Sequence, residues 1–171
     1  GDFVDREKYS DTIQGSLATS LSAVPGDRVS KGFSRLDKDV TDIHVGGFLT
    51  TALEAAAKAK NHSYFLGRYG SPCLLSTGFS DSCISTFISN FGARAFRRPL
   101  LAAEISRYMA LYTDLKATDQ ISGIEAVIAA ILIAPQFLFQ METEGTLVGG
   151  KTDLYQITPY EVASRVALSL E

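Results

Sequence analysis

The longest apolar stretch of the chain runs from Ala126 to Phe139, and it restricts the fold more than any other feature. Pro135 and Gln136 interrupt it and Glu125 precedes it, so it falls short of the roughly 20 apolar residues that cross a bilayer. Apolar on most faces, it reads instead as a buried helix over about 119–134, at the centre of a helical core. Continuation toward 141 would require Pro135 to kink or divide it.

Amphipathic helices are expected around that centre. Residues 42–60 place Val45, Phe48, Leu49, Ala52, Leu53, Ala56 and Ala59 at i, i+3, i+4, i+7 spacing. Thr41 or Asp42 serves as N-cap, and Lys58 and Lys60 oppose the dipole at the far end. Gly46-Gly47 in the first turns implies a later start or a close approach by other backbone. A helix from Ser80 or Asp81 carries Ile84, Phe87, Ile88, Phe91 and Ala95 on one face and stops at Arg98-Pro99, since proline pushes its predecessor out of the α region. The next, over about 101–117, uses Leu101, Ile105, Tyr108, Met109, Tyr112 and Leu115. Near the start, Tyr9, Ile13, Leu17 and Leu21 give a narrower stripe over about 5–21, followed by a polar connection through Pro25-Gly26-Asp27. Gly67, Gly70, Pro72, Gly78 and several serines make 67–80 a loop. Residues 143–156 read as a turn-rich link. Thr158-Pro159-Tyr160-Glu161 then supplies an N-cap, a proline at N1 and a glutamate at N3, a capping box opening a helix that would bury Val162, Val166 and Leu170.

The fold class is therefore all-α, an irregular bundle of about five or six helices with one loop closed by a disulfide. Residues 1–142 form one helical domain, with 1–40 as N-terminal helix and connection and 41–142 as core helices. Residues 143–171 read as a linker and the first helix of a following, truncated domain. With 46% hydrophobic and 20% charged residues the chain is ordinary for a globular domain. Its net charge of -3 argues against a nucleic-acid or polybasic membrane surface.

Few residues carry chemistry. Cys73 and Cys83 frame the 67–80 loop. A disulfide there would close a ring of about 11 residues, worth roughly 2.5–3 kcal/mol. Two buried thiols or half of a metal site are the alternatives. Zinc needs four ligands, however, and His44 and His62 lack ligand spacing. No C-x-x-C-H haem attachment and no G-x-S-x-G elbow occurs. Arg94, Arg97 and Arg98 could clasp a carboxylate or phosphate. They could equally be cations favourably placed at a helix C-terminus, paired with acids such as Glu104. The acid pairs Asp37 with Asp39 and Glu142 with Glu144 read as solvated surface, and His44 and His62 as helix-start and helix-end residues.

The string Phe91-Gly92-Ala93-Arg94-Ala95-Phe96-Arg97-Arg98-Pro99-Leu100 resembles the FxxRAFRRPL block of a family of large secreted proteins of planctomycetes and myxobacteria, built from successive domains of unknown function. The following Glu104 to Tyr112 is similar to that family's EExxRYxxLY, and Ala130 to Glu142 to its AxLxSPxFLYRxE. Tyr160 to Leu170 resembles YELASRLSYFL, which opens a later domain, and Tyr9 to Leu17 resembles YxNTVRDLL. Leu101 stands where the family usually has a capping threonine or serine, and Gln14 and Gln140 replace arginines. The resemblance implies an exported protein, periplasmic or secreted. A cysteine pair at this place in some members implies the Cys73–Cys83 bridge. Full-length relatives commonly carry a c-type haem domain, so haem is expected on a partner or missing domain, with no cofactor or metal in this chain.

The expected role is a non-catalytic scaffold or interaction module of an exported, cytochrome-c-associated protein or complex, with a protein partner packing on helix 159–171. The alternative is one part of an extracytoplasmic redox or polysaccharide-acting enzyme whose active site lies partly on other domains.

Overall fold

A computed structural model describes residues 24, 28–30, 33–35, 40–70, 72–75, 78–116, 119–139 and 145–169. The expected helix over 5–21 lies outside them. Two three-residue strands come first, β1 (Arg28–Ser30) and β2 (Phe33–Arg35), paired antiparallel. The helices follow as α1 (Asp42–Ala59), α2 (Ser63–Gly70), a 3-10 turn (Pro72–Leu75), α3 (Asp81–Phe96), α4 (Ala102–Leu115), α5 (Gln120–Leu132) and α6 (Pro135–Leu138). A second antiparallel ribbon, β3 (Thr146–Leu147) with β4 (Tyr155–Gln156), precedes α7 (Pro159–Ser169). The chain is an all-α irregular bundle with a disulfide-closed loop, and the short ribbons only decorate it.

Burial follows the apolar pattern in α3 and α5, but Val162 and Val166 of α7, expected to be buried, are 44% and 52% exposed. α5 is central, packing on α1 and α4 and touching α3. Ile124, Val127, Ile128 and Ile131 of α5 are fully buried with Ile84, Phe87 and Ile88 of α3 and Tyr112 of α4. Each such aliphatic side chain contributes about 1.5–3 kcal/mol by leaving water. Gly123 lets α4 approach closely, since a Cβ there would lie 2.6 Å from the Tyr112 ring. Pro135 does divide the last apolar run. Ala134 is extended, as a residue before proline must be, and Pro135 takes the first position of α6.

Caps hold the helix ends. In α1 the His44 Nδ1 accepts from the Thr41 N–H at 3.2 Å and lies 2.8 Å from the Thr41 hydroxyl. α1 therefore begins before Gly46-Gly47, and Val24 is the close neighbour that Gly47 admits. Ser80 accepts from the Cys83 N–H at the start of α3, and Asp119 from the Ser122 N–H and hydroxyl at the start of α5. The Ser122 bonds hold the Asp119 carboxyl below its ordinary range. Thr158 and Glu161 form the expected capping box: the Glu161 carboxylate accepts from the Thr158 N–H at 2.7 Å, and the Thr158 hydroxyl from the Glu161 N–H at 3.3 Å.

Two further sequence expectations need correction. Residues 67–80 are not simply a loop, because α2 occupies 63–70 and the 3-10 turn 72–75. Phe65, Leu66 and Leu74 are buried there, and Phe65 makes tilted or edge contacts with Tyr69, Phe87 and Phe91 at 5.1–6.0 Å. His62 consequently starts a helix as well as following one, its Nδ1 lying 3.4 Å from the Phe65 amide.

Candidate functional site

Cys73 on the 3-10 turn and Cys83 in the first turn of α3 are joined in a disulfide with Cα atoms 6.1 Å apart, inside the usual span for such bridges. This removes the free-thiol and metal readings. The pair fixes the 3-10 turn to the start of α3, and the Asn90 side chain, donating to the Tyr69 carbonyl at 3.0 Å, ties α2 to the same helix.

The arginines at the end of α3 are not equivalent. Arg98 donates through both terminal nitrogens to Glu104 of α4, at 2.8 and 2.9 Å, with both side chains largely buried. A third nearby donor, the Leu101 N–H, reaches the same carboxylate at 2.8 Å. Arg98 hydrogen bonds hold the Glu104 carboxyl below its usual range in spite of burial, and the Leu101 N–H and the Arg107 charge help. Arg98 also lies 5.7 Å from the Phe96 ring centroid. Its guanidinium is thus a corner brace between α3 and α4. Arg97, at φ 59, is the left-handed residue that ends α3, and it is exposed like Arg94. The three cations do not form a common clasp through Arg98, so any outside contact falls to Arg94 and Arg97.

Other candidates stay apart. His44 and His62 lie at opposite ends of the 18-residue α1, about 25 Å apart at the helical rise. Both pairs of neighbouring acids fall outside the described residues. Among the described residues no cluster of histidine, cysteine and acids could hold a metal ion, and no helix is long and apolar enough to cross a membrane. A c-type haem does not fit this donor set, because both cysteines are in the disulfide and the histidines are separated.

Sequence reasoning missed an open groove of about 560 Å3 between α2 and the 3-10 turn, lined by Ser63, Tyr64, Gly67, Arg68 and Leu75. The available signal was Tyr64 and Arg68 at i, i+4, which the Arg68-to-Tyr64 hydrogen bond of 3.4 Å makes real. Tyr64, and next to it Tyr69, push the Arg68 guanidinium further up.

Residues 83–142 match the family model described as PSD5, a protein of unknown function (DUF1595). That segment is about a third of the chain and holds α3 from Cys83 onward together with α4, α5 and α6, including the Arg98–Glu104 brace and one of the two cysteines. It excludes the groove. No curated protein and no solved structure matches the chain.

Proposed function

We propose that this chain is a non-catalytic helical scaffold or interaction module of an exported, cytochrome-c-associated protein or complex. The observation that carries the interaction role is apolar surface left on two helices. On α1, Ile43, Val45, Leu49 and Leu53 are between 43% and 65% exposed. On α7, Tyr160 and Val162 are exposed at 51% and 44%, and no described bundle helix packs extensively on α7. Clustered exposed apolar side chains on helices are characteristic of surfaces that other proteins cover. The 159–171 segment is therefore read as seating a protein partner, in keeping with 143–171 as the start of a further domain.

Export is supported by the Cys73–Cys83 disulfide, since such bridges persist in oxidising compartments. The cytochrome association rests on the resemblance alone, and it places haem on a partner or another domain. Two measurements test the reading. In limited proteolysis and light scattering, the isolated chain should be cleaved within α7 or self-associate; a stable monomer with α7 protected would remove the reason for a partner. Material from the native source should lose two hydrogens of mass relative to its reduced form and co-purify with haem absorbance. A reduced, haem-free native protein would overturn the exported, cytochrome-associated part.

A further inference from the structure

The two halves of the Cys73–Cys83 bridge lie in different surroundings. Cys73 is half-buried on the 3-10 turn, whereas Cys83 is 4% exposed and belongs to the hydrophobic core. A reagent arriving from solvent therefore meets Cys73 first. The local fields differ as well. Cys73 Sγ lies 2.9 Å from the carbonyl oxygen of Gly70, the last residue of α2, and Cys83 Sγ lies 3.8 Å from the same oxygen. A carbonyl at a helix C-terminus carries partial negative charge, which repels a thiolate and suits a thiol S–H as its donor. Cys83 instead stands in the first turn of the 16-residue α3, the end at which a helix favours an anion. The one acid of that turn, Asp81, is countered by Lys116, whose Nζ lies 2.9 Å from the Asp81 carboxylate. Access makes Cys73 the better target, and charge makes Cys83 the better leaving group.

We propose that Cys73 is a site of covalent attachment for low-molecular-weight thiols, and that the bridge opens there with Cys83 as the departing thiolate. An incoming thiolate attacks Cys73 Sγ. A new S–S bond forms between the two, the bond to Cys83 breaks, and its electron pair leaves on Cys83 Sγ. The exchange needs no other oxidant or reductant. Return of the Cys83 thiolate to Cys73 expels the small thiol and restores the bridge. The structural consequence is local: the 3-10 turn loses its covalent link to α3 and is held by the burial of Leu74 against Gly70. The bridge is then a thiol-sensitive latch on that turn, whether or not a partner covers α1 or α7.

The test uses the oxidised full chain in native buffer with reduced glutathione. Samples are quenched in acid at early times, and the adducts are located by tandem mass spectrometry of the peptides. Glutathione should sit on Cys73 about tenfold or more in excess over Cys83, before the dithiol accumulates. Far-UV circular dichroism should be unchanged throughout, and hydrogen exchange should accelerate over residues 72–75 and not in α5. Equal adducts on the two sulfurs, or an excess on Cys83, would overturn the proposal. So would a dithiol that forms with no adduct on Cys73 at any time, or a bridge that glutathione opens only after urea has unfolded the chain.

Discussion

At the scale of the residue, Glu104 carries the most consequence. It is 7% exposed and accepts from both terminal nitrogens of Arg98 and from the Leu101 N–H. A buried ion pair is weak evidence of net stabilisation, yet removing one member is costly because the other charge stays behind. Glu104→Gln should therefore lower the unfolding free energy by about 2–4 kcal/mol at neutral pH, read from urea midpoints. The pH dependence has a definite sign. Arg98 holds the folded carboxyl below its ordinary value of 4.5, so the unfolded chain binds the proton more readily. The contribution is complete above that ordinary value and is lost as pH falls through the lowered folded one. The gap between the wild-type chain and Glu104→Gln should accordingly close in acid; a gap of constant size from neutral pH to well below the carboxylate range would exclude this pairing as its source.

At the scale of the element, α4 begins with half of a capping box. Glu104 returns a bond to the Leu101 N–H, but Leu101 has no hydroxyl to accept from the helix, and its side chain is 57% exposed. Leu101→Thr supplies the missing acceptor and should raise stability by about 1 kcal/mol in a denaturant titration. Two glycines make a sharper contrast. At Gly46 an added Cβ meets nothing within 4 Å, so Gly46→Ala should gain about 0.5–1 kcal/mol from helix propensity. At Gly123 it would press on the buried Tyr112 ring and come within 3.1 Å of the Tyr112 carbonyl, which cannot move aside. Overpacking of about 1–3 kcal/mol then exceeds the same propensity gain, and Gly123→Ala should lower the melting temperature. The same contrast explains what the sequence made legible. α1, α3, α4, α5 and α7 announce themselves because their apolar period runs for several turns and ends in a cap or a proline. α2 does not, since eight residues with Gly67 and Gly70 among them look like loop composition, although Gly70 is there to admit Leu74. The groove was lost with it, because Tyr64, Arg68 and Leu75 converge only once that segment is helical. β3 and β4 have two exposed residues each, too few to show a period.

At the scale of the whole molecule, the question is whether the bridge or the core specifies the fold. Eight large side chains from α3, α4 and α5 are fully buried, and the bridge adds to them a link from the 3-10 turn to the first turn of α3, where Cys83 is buried at one end of the same cluster. The core should thus fold without the bridge. Replacing both cysteines by serine reopens a ring of about 11 residues in the unfolded ensemble, which costs roughly 2.5–3 kcal/mol by chain entropy, against a usual total of about 5–15 kcal/mol. The double variant should keep its far-UV circular dichroism and cooperative unfolding at a lower urea midpoint. Its hydrogen exchange should accelerate mainly over residues 63–80, where the bridge holds α2, the 3-10 turn and the Leu75 wall of the groove. Acceleration spread equally through α5 would mean that the disulfide sustains the core itself. Protection confined to α3–α6 would instead mark those helices, the segment that matches the family model, as the unit that folds without the bridge.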